Sequence, residues 1–229
     1  MKRYSRDVVR AKALQYVRTG VPFLCFIFFY LAMFSVLEHM TRLHYTVIHT
    51  ALDDMIPFCE IFVVPYLSWF PFMIFNCAYF FLFDQETYRK VVPMLTFGMS
   101  LFLVVSALFP NIQYLRPAVM PRDNVFTHMV ASLYRTDTPT NICPSIHVYN
   151  TVCLLMGLYM GHEKLSRSKI YVAFTTVVGI LIILSTMLIK QHSVLDVTAG
   201  FLLAGVAYLV FARPDLLPLR RHSRRTAMD

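Results

Sequence analysis

The chain is poor in glycine and in charge. Seven glycines in 229 residues leave no room for a collagen repeat. Charged residues make up only 15%, against about 25% in an average soluble domain. With 57% of residues apolar, a disordered chain is excluded and a soluble domain is a poor fit. There is no CxxC pair and no Cys/His zinc spacing. The five cysteines are odd in number, and Cys25, Cys59, Cys77 and Cys153 fall in or beside apolar runs. A thiol there acts as a small hydrophobe, so no disulfide framework is expected. Internal repeats, low-complexity tracts and long linkers are also missing.

What is present is grease and positive charge. Twenty Phe, 13 Tyr and 13 Met accompany 21 Lys and Arg against 13 Asp and Glu, a formal +8. A polytopic membrane protein with basic loops accounts for both. Six uncharged or nearly uncharged runs are long enough to cross a bilayer: Val21–Leu37, Ile61–Phe83, Val91–Phe109, Pro144–Gly161, Ile170–Ile189 and Val194–Ala212. The first follows a basic segment, as in a signal peptide. The residues Glu38-His39-Met40-Thr41-Arg42 offer no small-residue cleavage site, so it is read as an uncleaved span.

Six spans alternate the loops. Of the 21 cations, only Arg42, Arg116, Arg122, Arg135 and Lys190 then fall on the side away from the termini. The positive-inside rule places both termini in the cytoplasm. The expected fold is all-α: a basic cytoplasmic segment 1–20, a six-helix transmembrane domain 21–212 and a basic cytoplasmic tail 213–229. The basic ends read as topology anchors and anionic-lipid contacts; nucleic acid is not expected as a partner.

Ionisable groups at the rim of a span are functional candidates. Three segments carry them, and all three fall on the outer side: Arg116-Pro117, Pro144-Ser145-Ile146-His147, and the stretch from Ser185 to Asp196 containing Lys190 and His192. Pro144 suits a first helical turn, which would leave the N–H groups of Ser145, Ile146 and His147 as an anion seat. His192 and Asp196 are four apart and share a helix face. A carboxylate on one imidazole nitrogen leaves the other bare, which orients a base or a nucleophile. Arg116 and Lys190 supply positive charge for a phosphate. Singly, each feature is as well explained by a cap, an interface anchor or a local hydrogen bond. Their convergence at one depth carries the weight.

These residues resemble the type 2 phosphatidic acid phosphatase (lipid phosphate phosphatase) superfamily, whose motifs are KxxxxxxRP, PSGH and SRxxxxxHxxxD. The chain carries Arg116-Pro117, Pro144-Ser145-Ile146-His147, and Ser185, His192 and Asp196 at the third motif's spacing. Three positions depart: Phe109 for the motif Lys, Ile146 for Gly and Thr186 for Arg. Lys190 is a candidate substitute for one lost cation. The Lys-Gln-His run, with Asp54–Phe58 and Pro65–Trp69, is similar to the branch near inositol phosphorylceramide and sphingomyelin synthases.

The resemblance implies a phosphohistidine mechanism. His192 attacks phosphorus, Asp196 orients it, and His147 protonates the leaving oxygen. Arg116, Lys190, Ser145, Ser185 and the Ile146 amide hold the phosphoryl oxygens, and no metal or other cofactor is required. It implies a lipid phosphate or diphosphate as substrate, in a plasma-membrane enzyme whose site faces outward among membrane lipids. The alternatives are a phosphotransferase with an alcohol acceptor, a metalloenzyme built on His147, His192 and Asp196, a small transporter and a catalytically degenerate relative. A metal site from His39, His44 and His49 is disfavoured, because five-residue spacing scatters them around a helix.

Overall fold

A computed structural model of the protein describes residues 6–40, 42, 44–160 and 169–216. The apolar runs become helices because, in lipid, a helix satisfies its own backbone groups. Helix α1 spans Arg6–His39, α4 Trp69–Phe83, α5 Gln85–Leu108, α7 Ile146–Met160, α8 Lys169–Leu188 and α9 Val194–Ala207. A π-turn at Tyr208–Ala212 continues α9. Shorter helices are α2 at Ala51–Met55, α3 at Val63–Leu67 and α6 at Val125–Thr136. The cations expected at 2–3, 164, 167 and 220–225 lie outside the described residues.

Among the described residues, five segments are long and apolar enough to cross a membrane: 16–39, 60–83, 85–108, 169–188 and 194–212. The run expected as the fourth span gives the 15-residue α7. At about 1.5 Å per residue, its described part, Ile146–Met160, is shorter than a hydrocarbon core of about 30 Å. It lies against α4, α5, α8 and α9. Val148, Tyr149, Cys153, Leu154 and Leu158 on it are fully buried. The outward faces of the other helices expose Phe28, Phe70, Ile74, Phe174 and Leu202, as lipid contact requires.

The second apolar run is not one helix. A 3-10 turn at Glu60–Phe62 leads into α3, and the helix breaks at Ser68 before α4. Pro71 has no N–H to return to the carbonyl a turn earlier. Ser68 Oγ donates to Pro65 O at 2.7 Å. The break sets Tyr66 and Trp69 against the site.

Two glycines let α7 sit close. A Cβ on Gly98 of α5 would fall 2.1 Å from the Tyr149 ring, and one on Gly200 of α9 would fall 2.9 Å from Ser145 O. On the motif side, β1 (Thr46–Val47) pairs in parallel with β2 (Asn111–Ile112), and Ile112 bridges Thr140. Asn111 Oδ1 accepts from the N–H groups of Ile142 and Cys143 at 2.8 and 2.9 Å. That fixes the entry to α7.

Candidate active site

Ser145 is the N-cap of α7: its Oγ accepts from Val148 N–H at 3.4 Å. Pro144 therefore lies one residue before the cap, not in the first turn. The Ser145 N–H is not free for an anion either; it donates to Asp196 O at 3.0 Å. Ile146 and His147 open the helix, and their amides are the remaining part of the expected seat.

The two histidines meet. His192 Nε2 lies 3.4 Å from His147 Nδ1. His192 Nδ1 is 2.6 Å from Asp196 Oδ2, with the histidine 7% and the aspartate 0% exposed. The carboxylate holds one imidazole nitrogen and leaves the other turned to His147. Asp196 Oδ1 also accepts from Val197 N–H at 3.1 Å. The His147 ring packs against Tyr66 and Trp69, at centroid distances of 4.7 and 4.4 Å and tilts of 32° and 50°. The three motifs do not include these two rings, and the likeness of Pro65–Trp69 to the synthase branch gives them no role.

His192 sits on a tight reversal. The C-terminus of α8 closes with Lys190 N–H on Met187 O and Gln191 N–H on Thr186 O, with Lys190 at φ 55°. This pattern commonly carries glycine in the left-handed position. A lysine stands there because its side chain is an anchor. Lys190 Nζ donates to Asp53 O at 2.7 Å and to Ile56 O at 2.5 Å, at the end of α2. Lys190, expected as a phosphate ligand, is turned toward α2 and clasps it. Burial pulls its pKa below the ordinary lysine value, against the opposing carboxylates of Asp53 and Asp54.

Asp53 completes the clasp and was not among the expected site residues. Its carboxylate accepts from Ser193 Oγ at 2.6 Å, Val194 N–H at 2.7 Å, Thr50 N–H at 2.7 Å and Thr50 Oγ1 at 3.0 Å. It therefore caps α2 and α9 together. Burial opposes its ionisation, but the donors from Ser193, Val194 and Thr50 outweigh this and hold the carboxyl below its usual range.

Arg116 reaches the reversal through its neighbour. Nη1 donates to Tyr134 O at 3.2 Å, and Nη2 donates to Asp137 O at 2.7 Å and to Gln191 Oε1. The guanidinium stacks 4.3 Å over the Tyr134 ring. Gln191 Nε2 and Tyr66 OH both donate to Asp137 Oδ2, at 2.9 and 2.7 Å. The Nε of Arg116 is buried without a partner among the described residues. Burial lowers the Arg116 pKa and Asp137 opposes it; an arginine remains charged regardless.

Ser185 is not at the site. It is fully buried and donates back to Ile182 O at 2.6 Å, and Thr186 does the same to Ile183 O at 2.7 Å. Phe109, the position of the motif lysine, is the half-exposed C-cap of α5. Among the described residues, no three His, Cys, Asp or Glu groups converge as a metal site. One of the first-loop histidines, His49, instead bonds Asp54 Oδ1 at 3.0 Å.

A cleft of about 30 Å³ lies beside the histidine pair, walled by Phe34, Glu38, Phe102, Asp137–Thr138, Thr140–Ile142, Ile146 and Gln191. The profile of the PAP2 superfamily matches residues 95–215, just over half of the chain. The chain belongs to the PAP2 superfamily. The matched stretch holds Arg116, His147, His192 and Asp196. No curated protein and no solved structure matches the chain. Membership in the PAP2 superfamily brings phosphatase-like or related phosphoryl-transfer activity. Glu38, Asp53, Tyr66 and Trp69 all precede the PAP2 stretch, so its motifs do not reach them.

Proposed function

We propose that this protein is a membrane enzyme that hydrolyses a lipid phosphate ester through a phosphohistidine. The His192–Asp196 dyad abutting His147 carries the reading. Asp196 on Nδ1 leaves a lone pair on His192 Nε2 for phosphorus. The phosphorus–oxygen bond to the leaving alcohol breaks, and His147 supplies the proton that oxygen needs. Water then gives a proton to His147 and displaces His192, releasing phosphate.

Charge growing on the phosphoryl oxygens is met by the Ile146 and His147 amides and by Arg116. The Tyr66 and Trp69 rings pack against the His147 ring and hold its orientation. A second reading replaces water with an alcohol acceptor. It is supported by the few cations around the dyad, since Lys190 faces α2 and positions 109 and 186 hold Phe and Thr.

The test is phosphate release from a lipid phosphate in nanodiscs, with and without an alcohol acceptor, together with trapping of a phosphoenzyme. His192→Ala should abolish both release and trapping while the protein stays folded. His147→Ala should slow turnover by roughly 10²–10⁴-fold, the usual range for a lost general acid. Activity surviving His192→Ala would sink the phosphohistidine.

A further inference from the structure

A cavity of about 770 Å³ opens away from the histidines, and no residue of the candidate active site lines it. Sites for ligands commonly measure about 300–1,000 Å³. Val152, Met156 and Met160, on the later part of α7, line it from one side. Ile180 and Leu184 of α8 and Phe201 of α9 line it from the others. Both α8 and α9 pack on α7, so the groove runs between them with α7 as its floor. From Val152 to Met160 that floor is about 12 Å long. An apolar space of this size within a membrane is filled by hydrocarbon, because its walls would otherwise lose their packing contacts.

One end of the groove is not a plain lipid-facing surface. Lys90 of α5 and Arg213, just past α9, both line it. The π-turn lines it as well, through Tyr208 and Ala212. Such turns are rare and cluster at functional sites. This one closes on Arg213, whose N–H donates to Tyr208 O at 2.9 Å. Lys90 Nζ lies 3.1 Å from Glu86 Oε1, and the two side chains are 39% and 70% exposed. An exposed pair of this kind costs little to open.

We propose that the groove binds one phospholipid with an anionic headgroup. Its acyl chain lies along α7, and its phosphate sits between Lys90 and Arg213. This is a second lipid site, at the other end of α7 from His147, and it goes beyond the function proposed above. A free anion would leave the apolar floor uncovered. A zwitterionic headgroup would bring its own cation toward Lys90 and Arg213. Basic pockets between helices at a membrane surface suit an anionic headgroup for this reason. A chain in the groove braces α7 against α8 and α9, so binding stabilises the fold.

The test titrates the full chain, in a neutral detergent, with phosphatidylglycerol or phosphatidylcholine of identical acyl chains. Retained lipid is read by native mass spectrometry, and stability by the thermal unfolding midpoint. Phosphatidylglycerol should bind and raise the midpoint, and phosphatidylcholine should bind about tenfold more weakly, as expected for losing one charge-assisted contact. Inorganic phosphate should leave the midpoint unchanged. Lys90→Gln combined with Arg213→Gln should lower phosphatidylglycerol affinity about tenfold or more and spare phosphatidylcholine. Ile180 is half-exposed on the groove wall, so Ile180→Trp should fold and weaken both lipids. Ile74→Trp, on the outward face of α4, should weaken neither. Equal affinity for the two lipids, or phosphatidylglycerol binding untouched by the paired Gln substitutions, overturns the headgroup assignment. Like behaviour of Ile180→Trp and Ile74→Trp overturns the groove. His192→Ala should bind phosphatidylglycerol as the wild type does, whether or not the phosphohistidine reading survives. Loss of binding in that variant would put the lipid at the histidines and overturn the second site.

Discussion

At the scale of single residues, Asp53 shows how far from the motifs the dyad is set. Four donors converge on its carboxylate, from Thr50, Ser193 and Val194, and it is 2% exposed. An amide in its place would turn an NH₂ toward donors that need an acceptor. Hydrogen bonds to a charged group contribute about 1.5–3 kcal/mol each, and an unmet buried donor costs a similar amount. Asp53→Asn should therefore destabilise the protein by about 2–4 kcal/mol. Turnover should fall more than KM rises, because Ser193 adjoins His192.

The pH dependence has a definite sign. The folded Asp53 pKa is depressed, so its stabilisation is complete above the unfolded value of about 3.9. It is lost as pH falls through the folded value. Thermal unfolding between pH 3 and 7 should show a steeper acid limb for the wild type than for Asp53→Asn. Parallel limbs would show that the Asp53 pKa is the same in the folded and unfolded states.

At the scale of elements, the apolar runs made the long helices legible, because twenty uncharged residues have few alternatives in lipid. The rest needed contacts between distant segments. The break at Ser68 places Tyr66 and Trp69 on His147, and neither ring carries a motif. Helix α6 was hidden in the long Pro110–Cys143 stretch. Its apolar residues Phe126, Met129, Val130 and Leu133 do follow a helical period, and Asn124 closes a capping box. The third motif's spacing gave the dyad correctly, since i,i+4 is a local property. It says nothing of where Lys190 reaches, because that side chain is aimed by a left-handed backbone that spacing does not reveal.

Close approach at Gly200 is likewise a tertiary fact. Gly200→Ala would press a Cβ to 2.9 Å from the Ser145 carbonyl, a backbone atom that cannot swing away. Overpacking of this kind costs about 1–3 kcal/mol. It should also lower turnover by shifting Asp196 away from the α7 terminus. Gly205→Ala, five residues on, meets nothing within 4 Å and should match the wild type in both unfolding and turnover. Equal behaviour of the two variants would refute a tight α7–α9 contact.

At the scale of the whole molecule, the open quantity is orientation. The β pair and α6 both gather at the end of the bundle that holds the histidines. The cations divide by side, and the end carrying Arg116, Arg122 and Arg135 is the poorer one. The positive-inside rule responds to Lys and Arg near span ends, so this asymmetry predicts the site outside and the basic termini in the cytoplasm. Thr136 is exposed at the end of α6 and distant in sequence from the motif residues. Thr136→Cys, on a background with the five native cysteines replaced, should react with a membrane-impermeant maleimide in intact cells. A cysteine placed at Lys90, near the start of α5, should react only after permeabilisation. The reverse pattern would turn the site to the cytoplasm. Labelling of both positions in intact cells would instead place 90 and 136 on one side, and an alternating arrangement of the spans between them would fail.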